Sequence, residues 1–197
     1  MSERQTQPNE QDSTSLSRRD NLPPGKVYLL RHEQRGSQIS FETPLTPHGL
    51  ENAETIVCSQ LEQLSIGTIY SSPFIRTLQT ILPFCKKTGK KVNLEWSIVE
   101  SCPFSPEIPE KFNEIINPNY SSFTPYKIPE DTDIFDFEDL KVRVKTFIES
   151  LDRSENILLV THMPVINAVL SYKGLEWIQM YTHHQPGSIL SMSTGTL

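Results

Sequence analysis

The chain of 197 residues carries 18 Lys and Arg against 24 Asp and Glu, which gives a formal net charge of −6 and a sequence pI near 5.4. This length suits one domain with a sizeable core, and the acidic balance argues against nucleic acid as the main partner, because a phosphate backbone requires a basic face. The cysteines Cys58, Cys85 and Cys102 form no C-x-x-C pattern, which favours reduced thiols over a disulfide framework or a zinc site.

Residues 1–24 are rich in Ser, Gln, Asn, Arg and Asp and contain almost no apolar residues. Such a segment buries too little apolar surface to offset its ordering entropy, so we predict a disordered N-terminal tail followed by one domain over residues 25–197. No signal-peptide centre and no apolar run of the roughly 20 residues that cross a bilayer are present. We therefore expect an intracellular, cytoplasmic protein without a membrane partner.

Strand and helix patterns alternate from residue 26 onward, beginning with an apolar strand at residues 27–30. Thr46 and Pro47 predict a helix start, and apolar residues follow at helical spacing: Leu50, Ala53, Val57, Leu61 and Leu64. Gly67 ends this helix and a second strand follows at residues 68–71.

Ser72 and Pro73 then open a helix that Gly89 caps, and residues 92–94 predict a third strand. Residues 102–133 are rich in proline and read as an irregular pocket rim with a short helix around residues 108–116. Its aromatic residues face either substrate or core, with core as the default: Phe104, Phe112, Tyr120, Phe123 and Tyr126.

The remaining chain predicts a buried strand at residues 157–160, a helix from Pro164 through Leu170 and an edge strand at residues 188–193. A further helix precedes that buried strand and carries Leu140, Val144, Phe147, Ile148 and Leu151. Strands that alternate with helices predict an α/β fold, a three-layer sandwich whose mostly parallel central sheet is flanked by helices.

Basic side chains follow the ends of three predicted strands. The strand at residues 27–30 runs into Arg31 and His32, and the strand at residues 157–160 runs into Thr161 and His162. The strand at residues 68–71 is followed by Arg76, one turn into the next helix. Because parallel strands end at one sheet edge, where ligands bind in such folds, these side chains are expected to meet. The planar guanidinium group of arginine presents several N–H donors that fit phosphate oxygens, and a neutral imidazole can attack phosphorus.

The stretches "LLRHEQR", "TPLTPHGLENA", "IYSSPFIRTLQT", "VESCPF" and "ILLVTHMPVINAVL" occur in this order. Together they resemble the histidine phosphatase superfamily, which has the phosphoglycerate-mutase-like fold. Arg35 resembles the last position of an R-H-G-x-R variant that occurs in eukaryotic protein-phosphatase-like branches.

The resemblance implies that His32 is the nucleophile that forms a phosphohistidine, while a set of basic side chains holds the phosphoryl oxygens: Arg31, Arg35, Arg76 and His162. It also implies that Glu100 protonates the leaving oxygen and later activates water. Glu107 and Glu110 remain alternatives to Glu100, and a plain surface charge remains the alternative for Arg35.

The chain departs from the family motif at Glu33, where the family has glycine after the histidine. Glycine lets backbone approach a phosphate closely, whereas a carboxylate either repels that phosphate or points away from it. We expect the Glu33 carboxylate to point outward into solvent and to pair with Arg35. A catalytically weakened phosphate-binding or interaction domain is the alternative.

We predict a metal-independent, cofactor-free hydrolase of phosphomonoesters whose partner is a phosphorylated small molecule or a phosphoprotein. No P-loop and no Cys-x5-Arg phosphatase loop is present. His48 is expected at a helix surface, and His183 and His184 in a solvated loop and not at a metal. A phosphoglycerate-mutase-type phosphotransferase ranks third, because it requires a pocket closed to water.

Overall fold

The structure is a computed structural model that describes residues 25–38, 40–100, 107–123, 137–171, 176–179 and 186–193. The predicted tail, Cys102, the adjacent histidines His183 and His184, and the two ends of the predicted pocket rim, residues 102–106 and 124–133, lie outside the described residues. Within those ranges, no helix is long and apolar enough to cross a membrane.

The described residues form a six-stranded sheet with the order β3-β2-β4-β1-β6-β5. The strands are β1 (Val27–Arg31), β2 (Thr68–Ser71), β3 (Val92–Leu94), β4 (Ile157–Thr161), β5 (Glu176–Gln179) and β6 (Ile189–Ser193). Strands β1 to β4 run parallel to their neighbours in this group, whereas β6 pairs antiparallel with β1 and with β5. The predicted α/β sandwich with a mostly parallel sheet is confirmed.

Both faces of the sheet are buried. Successive side chains of a strand point to opposite faces, so they join different apolar clusters. Tyr28 and Leu30 of β1 pack into one apolar cluster, and Val27 and Leu29 pack into a second. Helix α3 (Ile75–Thr88) covers the first face, whereas α4 (Phe137–Glu149) and α5 (Met163–Leu170) cover the second. Strand β4 lies inside the sheet and is buried throughout, which explains its unbroken apolar sequence.

The first predicted helix begins as expected but is not a regular α-helix. Thr46 caps α1 (Pro47–Asn52) by accepting from the Gly49 amide, and a π-helical segment (Ala53–Val57) then leads into α2 (Cys58–Leu61). A π-turn takes more residues than an α-turn, which rotates Leu50 away from the buried face. Leu50 is accordingly 43% exposed, and its expected core position is wrong.

The expected edge position of the last strand is also wrong. Strand β6 lies between β1 and β5, and β5 forms the edge at this side of the sheet. The segment 176–179 was not predicted as a strand, because it is short and its pairing depends on β6.

The described part of the pocket rim is anchored by one buried carboxylate. Glu95 accepts hydrogen bonds from the Ser97 amide, the Phe123 amide, the Ser122 hydroxyl and the Tyr120 phenol. Of the aromatic residues with open assignments, Phe112 is fully buried in the core and Phe123 is 47% exposed. The short helix predicted here is a single 3-10 turn, Glu110–Phe112.

Candidate active site

The carboxyl ends of β1, β4 and β2 lie side by side at one edge of the sheet. Arg31 pairs with Thr161 across β1 and β4, and Ser71 pairs with Val160 across β2 and β4. The pairing extends one residue further, since the His32 amide donates to the Thr161 carbonyl at 3.0 Å. The expected convergence of the strand ends is therefore observed.

His32 is buried, and its Nδ1 lies 2.7 Å from the Glu33 carbonyl oxygen. A carbonyl only accepts, so Nδ1 carries the proton and Nε2 keeps a free lone pair. Burial, as the largest cause, and the charges of nearby arginines together lower the pKa of His32 to about 3, against an opposing effect of the bond to Glu33. His32 is thus a neutral imidazole at pH 7.

His162 lies next to His32, with the ring centroids 5.3 Å apart. Its Nε2 is 2.8 Å from the Ser72 hydroxyl, and its Nδ1 is 3.5 Å from Glu100 Oε1. Burial and the neighbouring His32 and arginines hold the pKa of His162 well below its usual value. Sequence reasoning missed Ser72 as a site residue, although its place after a strand end is the same signal that marked the histidines.

Arg76 and Glu100 form an ion pair inside this edge. Arg76 is 2% exposed, donates to the Ser40 carbonyl at 2.9 Å through Nη1, and pairs with Glu100 Oε1 through Nη2. Its guanidinium also lies 4.2 Å from the centroid of the Phe74 ring, which packs edge-on against His162. Glu107 and Glu110, the alternatives to Glu100, are exposed, so Glu100 is the acid that the structure brings to the histidines.

The remaining two arginines differ in their surroundings. Arg31 is half-buried, and its pKa is lowered by burial, raised by the charge of Glu100 and lowered by that of Arg35. The Arg35 guanidinium donates to the carbonyls of Gly36 and Gln38, at 2.8 and 2.7 Å. Arg35 is thus neither a free surface charge nor aimed at the histidines, but its charge still lowers the pKa of His32.

The Glu33 carboxylate does not point into solvent, and the outward orientation expected from the sequence is wrong. Glu33 is 3% exposed, and its Oε2 accepts from the Gln34 amide at 3.1 Å. A Cβ on Gly187 would overlap Glu33 Oε1 and lie 3.3 Å from Val57 Cγ2. The carboxylate therefore occupies space that exists because residue 187 has no side chain.

The backbone of Glu33 is held as tightly as its side chain. Its amide donates to Thr80 Oγ1 at 3.0 Å, and that hydroxyl donates in turn to the Arg76 carbonyl. Helix α3 thus holds the backbone of the residue whose carbonyl sets the tautomer of His32. Among the described residues, no group of three or more His, Cys, Asp or Glu side chains is arranged to hold a metal ion.

The sequence matches the family model of the histidine phosphatase superfamily (branch 1) over residues 27–194. It is similar to the fructose-2,6-bisphosphatase of Saccharomyces cerevisiae, with 26% identity over 163 residues that cover 76% of this chain and 34% of that protein. The chain therefore spans about one third of the length of this relative.

Two further similarities agree with this match. A 2,3-bisphosphoglycerate-dependent phosphoglycerate mutase of Thermoplasma acidophilum is 30% identical over 129 residues, 65% of this chain and 62% of the mutase. The fold is similar to the crystal structure of the ecdysone phosphate phosphatase of Bombix mori in complex with tungstate, with a TM-score of 0.59 and 13% identity over 88% of this chain and 92% of that one.

The fit between Glu33 and Gly187 predicts a specific coupling. Gly187→Ala should lower the free energy of unfolding by about 1–3 kcal/mol through overpacking. The positive φ of 75° at this position should add about 1–2 kcal/mol of backbone strain. The double variant with Glu33→Gly should regain the loss from overpacking but not the loss from backbone strain. The measurement is urea denaturation of the single and double variants.

Gly89→Ala is the matched control, because Gly89 has a similar φ of 71° and no atom within 4 Å of a Cβ placed there. It should show the strain alone and no recovery by Glu33→Gly. Equal losses in Gly187→Ala with and without Glu33→Gly would contradict the predicted coupling.

The lowered pKa of His32 predicts acid sensitivity. The unfolded chain takes up this proton near pH 6.5, while the folded protein does so only near pH 3, so stability is complete above about pH 6.5 and is lost as the pH falls through this window. From pH 7 to pH 5, the wild type should lose about 2 kcal/mol relative to His32→Asn. Parallel pH dependences of both proteins in chemical denaturation would contradict this prediction.

Proposed function

The chain belongs to the histidine phosphatase superfamily, and on this basis we propose that it hydrolyses a phosphomonoester through a phosphohistidine on His32. The observation that carries the proposal is the state of His32: it is neutral, its Nδ1 proton is held by the Glu33 carbonyl, and its Nε2 lone pair is free. A fixed neutral imidazole is what an in-line attack on phosphorus requires.

In the first step, Nε2 of His32 attacks phosphorus while the bond to the leaving oxygen breaks. The electron pair goes to that oxygen, which takes a proton from Glu100. In the second step, Glu100 as carboxylate removes a proton from water, the water oxygen attacks phosphorus, and the electron pair of the P–N bond returns to His32. Phosphate leaves and Glu100 is again protonated.

The charges around His32 support the binding of a phosphoryl group. Arg76 is buried and pairs with a carboxylate oxygen, and a phosphoryl oxygen is a stronger partner for the same planar fork. We propose that a substrate monoanion displaces the Glu100 carboxylate from Arg76 and gives it a proton, so that Glu100 enters the first step as the acid. Arg31 and His162 complete the set of donors, and Arg35 contributes through its charge and through the loop at residues 36–38 that it fixes.

The substrate is a phosphorylated small molecule or a phosphoprotein, and the protein acts in the cytoplasm without a nucleic acid or membrane partner. Phosphoryl transfer between two positions of a sugar acid is the second candidate, supported by the similarity to the Thermoplasma acidophilum mutase. A screen with phosphopeptides, sugar phosphates, nucleotides and inositol phosphates separates the two, because a mutase returns the phosphoryl group to an organic acceptor and releases little inorganic phosphate.

His32→Ala should abolish both turnover of p-nitrophenyl phosphate and the acid-labile phosphate trapped on the protein after rapid quenching, because the nucleophile is lost. His48→Ala, which alters an exposed histidine of α1, should retain both. Wild-type turnover should persist in chelator. Activity that disappears in chelator and returns with a divalent ion would exclude this mechanism.

Glu100→Gln should lower kcat/KM, which reports only the first step, by about 100-fold or more on an alkyl phosphate, since general acid catalysis contributes roughly that much. The loss on p-nitrophenyl phosphate should be much smaller, because p-nitrophenolate leaves without protonation. Glu107→Gln, at an exposed glutamate, should leave both rates unchanged. Equal losses on the two esters would remove Glu100 from the role of acid.

A further inference from the structure

Arg143 is a buried arginine outside the cluster of histidines and arginines described above. It lies on α4, and its side chain is only 8% exposed. Its Nη1 donates to the carbonyls of Trp96, Ser97 and Val99, at 3.1, 2.7 and 3.3 Å, and its Nη2 donates to the Val99 carbonyl at 3.3 Å. One guanidinium thus holds three carbonyls of the segment that leads from β3 to Glu100.

These hydrogen bonds act on the backbone next to Glu100. The Val99 carbonyl belongs to the peptide bond whose nitrogen is that of Glu100, so its hydrogen bonds restrict the backbone of the proposed acid directly. Thr161 adds a further bond to this segment, since its hydroxyl donates to the Ile98 carbonyl at 2.7 Å. Thr161 is adjacent to His162 in β4, which ties the same segment to the second histidine.

A buried guanidinium is expensive to desolvate, and a well-packed apolar side chain often stabilises a core at least as well. Asp139, one turn earlier on α4, offsets the charge only weakly, because its Oδ2 lies 3.9 Å from Arg143 Nε and its side chain is 50% exposed. Stability alone is thus a weak reason for an arginine here. The planar guanidinium group can donate hydrogen bonds to several carbonyls at once, whereas a lysine ammonium binds as a point charge.

We propose that Arg143 is a positioning residue for Glu100 and fixes the carboxyl group where it meets Arg76, His162 and the leaving oxygen. This inference rests on the proposed function, in which Glu100 is the acid. Misplacement of such a group by about 1 Å costs on the order of 100-fold in rate. Arg143 therefore acts on proton transfer and not on the attack by His32.

The experiment compares Arg143→Lys and Arg143→Met with Lys145→Met, a control at a half-exposed position of the same helix. Initial rates are measured on phosphate esters of graded leaving-group pKa. Both Arg143 variants should lose about 10- to 100-fold in kcat/KM on the alkyl ester and lose little in kcat/KM on p-nitrophenyl phosphate. In the Glu100→Gln background, Arg143→Lys should lower the rate on the alkyl ester almost no further, because both substitutions impair the same proton transfer.

Equal losses of Arg143→Lys on all esters, or a full loss retained in the Glu100→Gln background, would overturn the proposal. Amide hydrogen exchange at residues 97–100 gives a readout that needs no turnover. Arg143→Lys should speed exchange there, Lys145→Met should not, and unchanged exchange would also overturn it. A wild type that hydrolyses none of the esters would refute the proposed function, while the exchange experiment would still decide whether Arg143 holds this segment.

Discussion

The structure depends on the parallel pairing of β2, β4 and β1, whose carboxyl ends coincide. Hydrogen bonds continue one residue beyond the paired strands, from the His32 amide to Thr161 and from the Ser72 amide to Val160. Because each side chain of interest is the first residue after a strand, this register alone brings two imidazoles and a serine together. A shift of one residue in any strand would turn its terminal side chain to the other face.

The electrostatics of the site follow from burial at that edge. Desolvation keeps both histidines neutral, and the guanidinium charges reinforce this, since a charged imidazole beside Arg76 and Arg31 is unfavourable. Glu100 supplies the one carboxylate described in contact with Arg76, so the cluster is basic as soon as Glu100 is protonated or displaced. This charge is what the proposed phosphoryl substrate would compensate.

The family position occupied by Glu33 shows how a fold accommodates a larger residue beside the proposed nucleophile. The backbone of Glu33 makes two hydrogen bonds: its carbonyl accepts from His32 and its amide donates to Thr80. The side chain itself is placed over Gly187 and accepts from the Gln34 amide, and the described contacts of Arg35, its expected partner, are to the Gly36 and Gln38 carbonyls. The substitution therefore leaves the hydrogen bond that orients His32 in place.

The sequence by itself determined the α/β class, the four parallel strands, the residues His32 and His162 directly after strands, and Arg76 in the first turn of a helix. It did so because apolar periodicity and turn residues are local signals. The direction of Glu33 was decided by Gly187, a residue distant in sequence, and the contacts of Arg35 were decided by the path of its own loop. The contact of Ser72 with His162 was decided by the pairing of β2 with β4, and the role of Arg143 by the packing of α4 against the segment before Glu100. Side-chain direction at a strand end depends on which space the rest of the fold leaves open, and that space is a property of the tertiary structure alone.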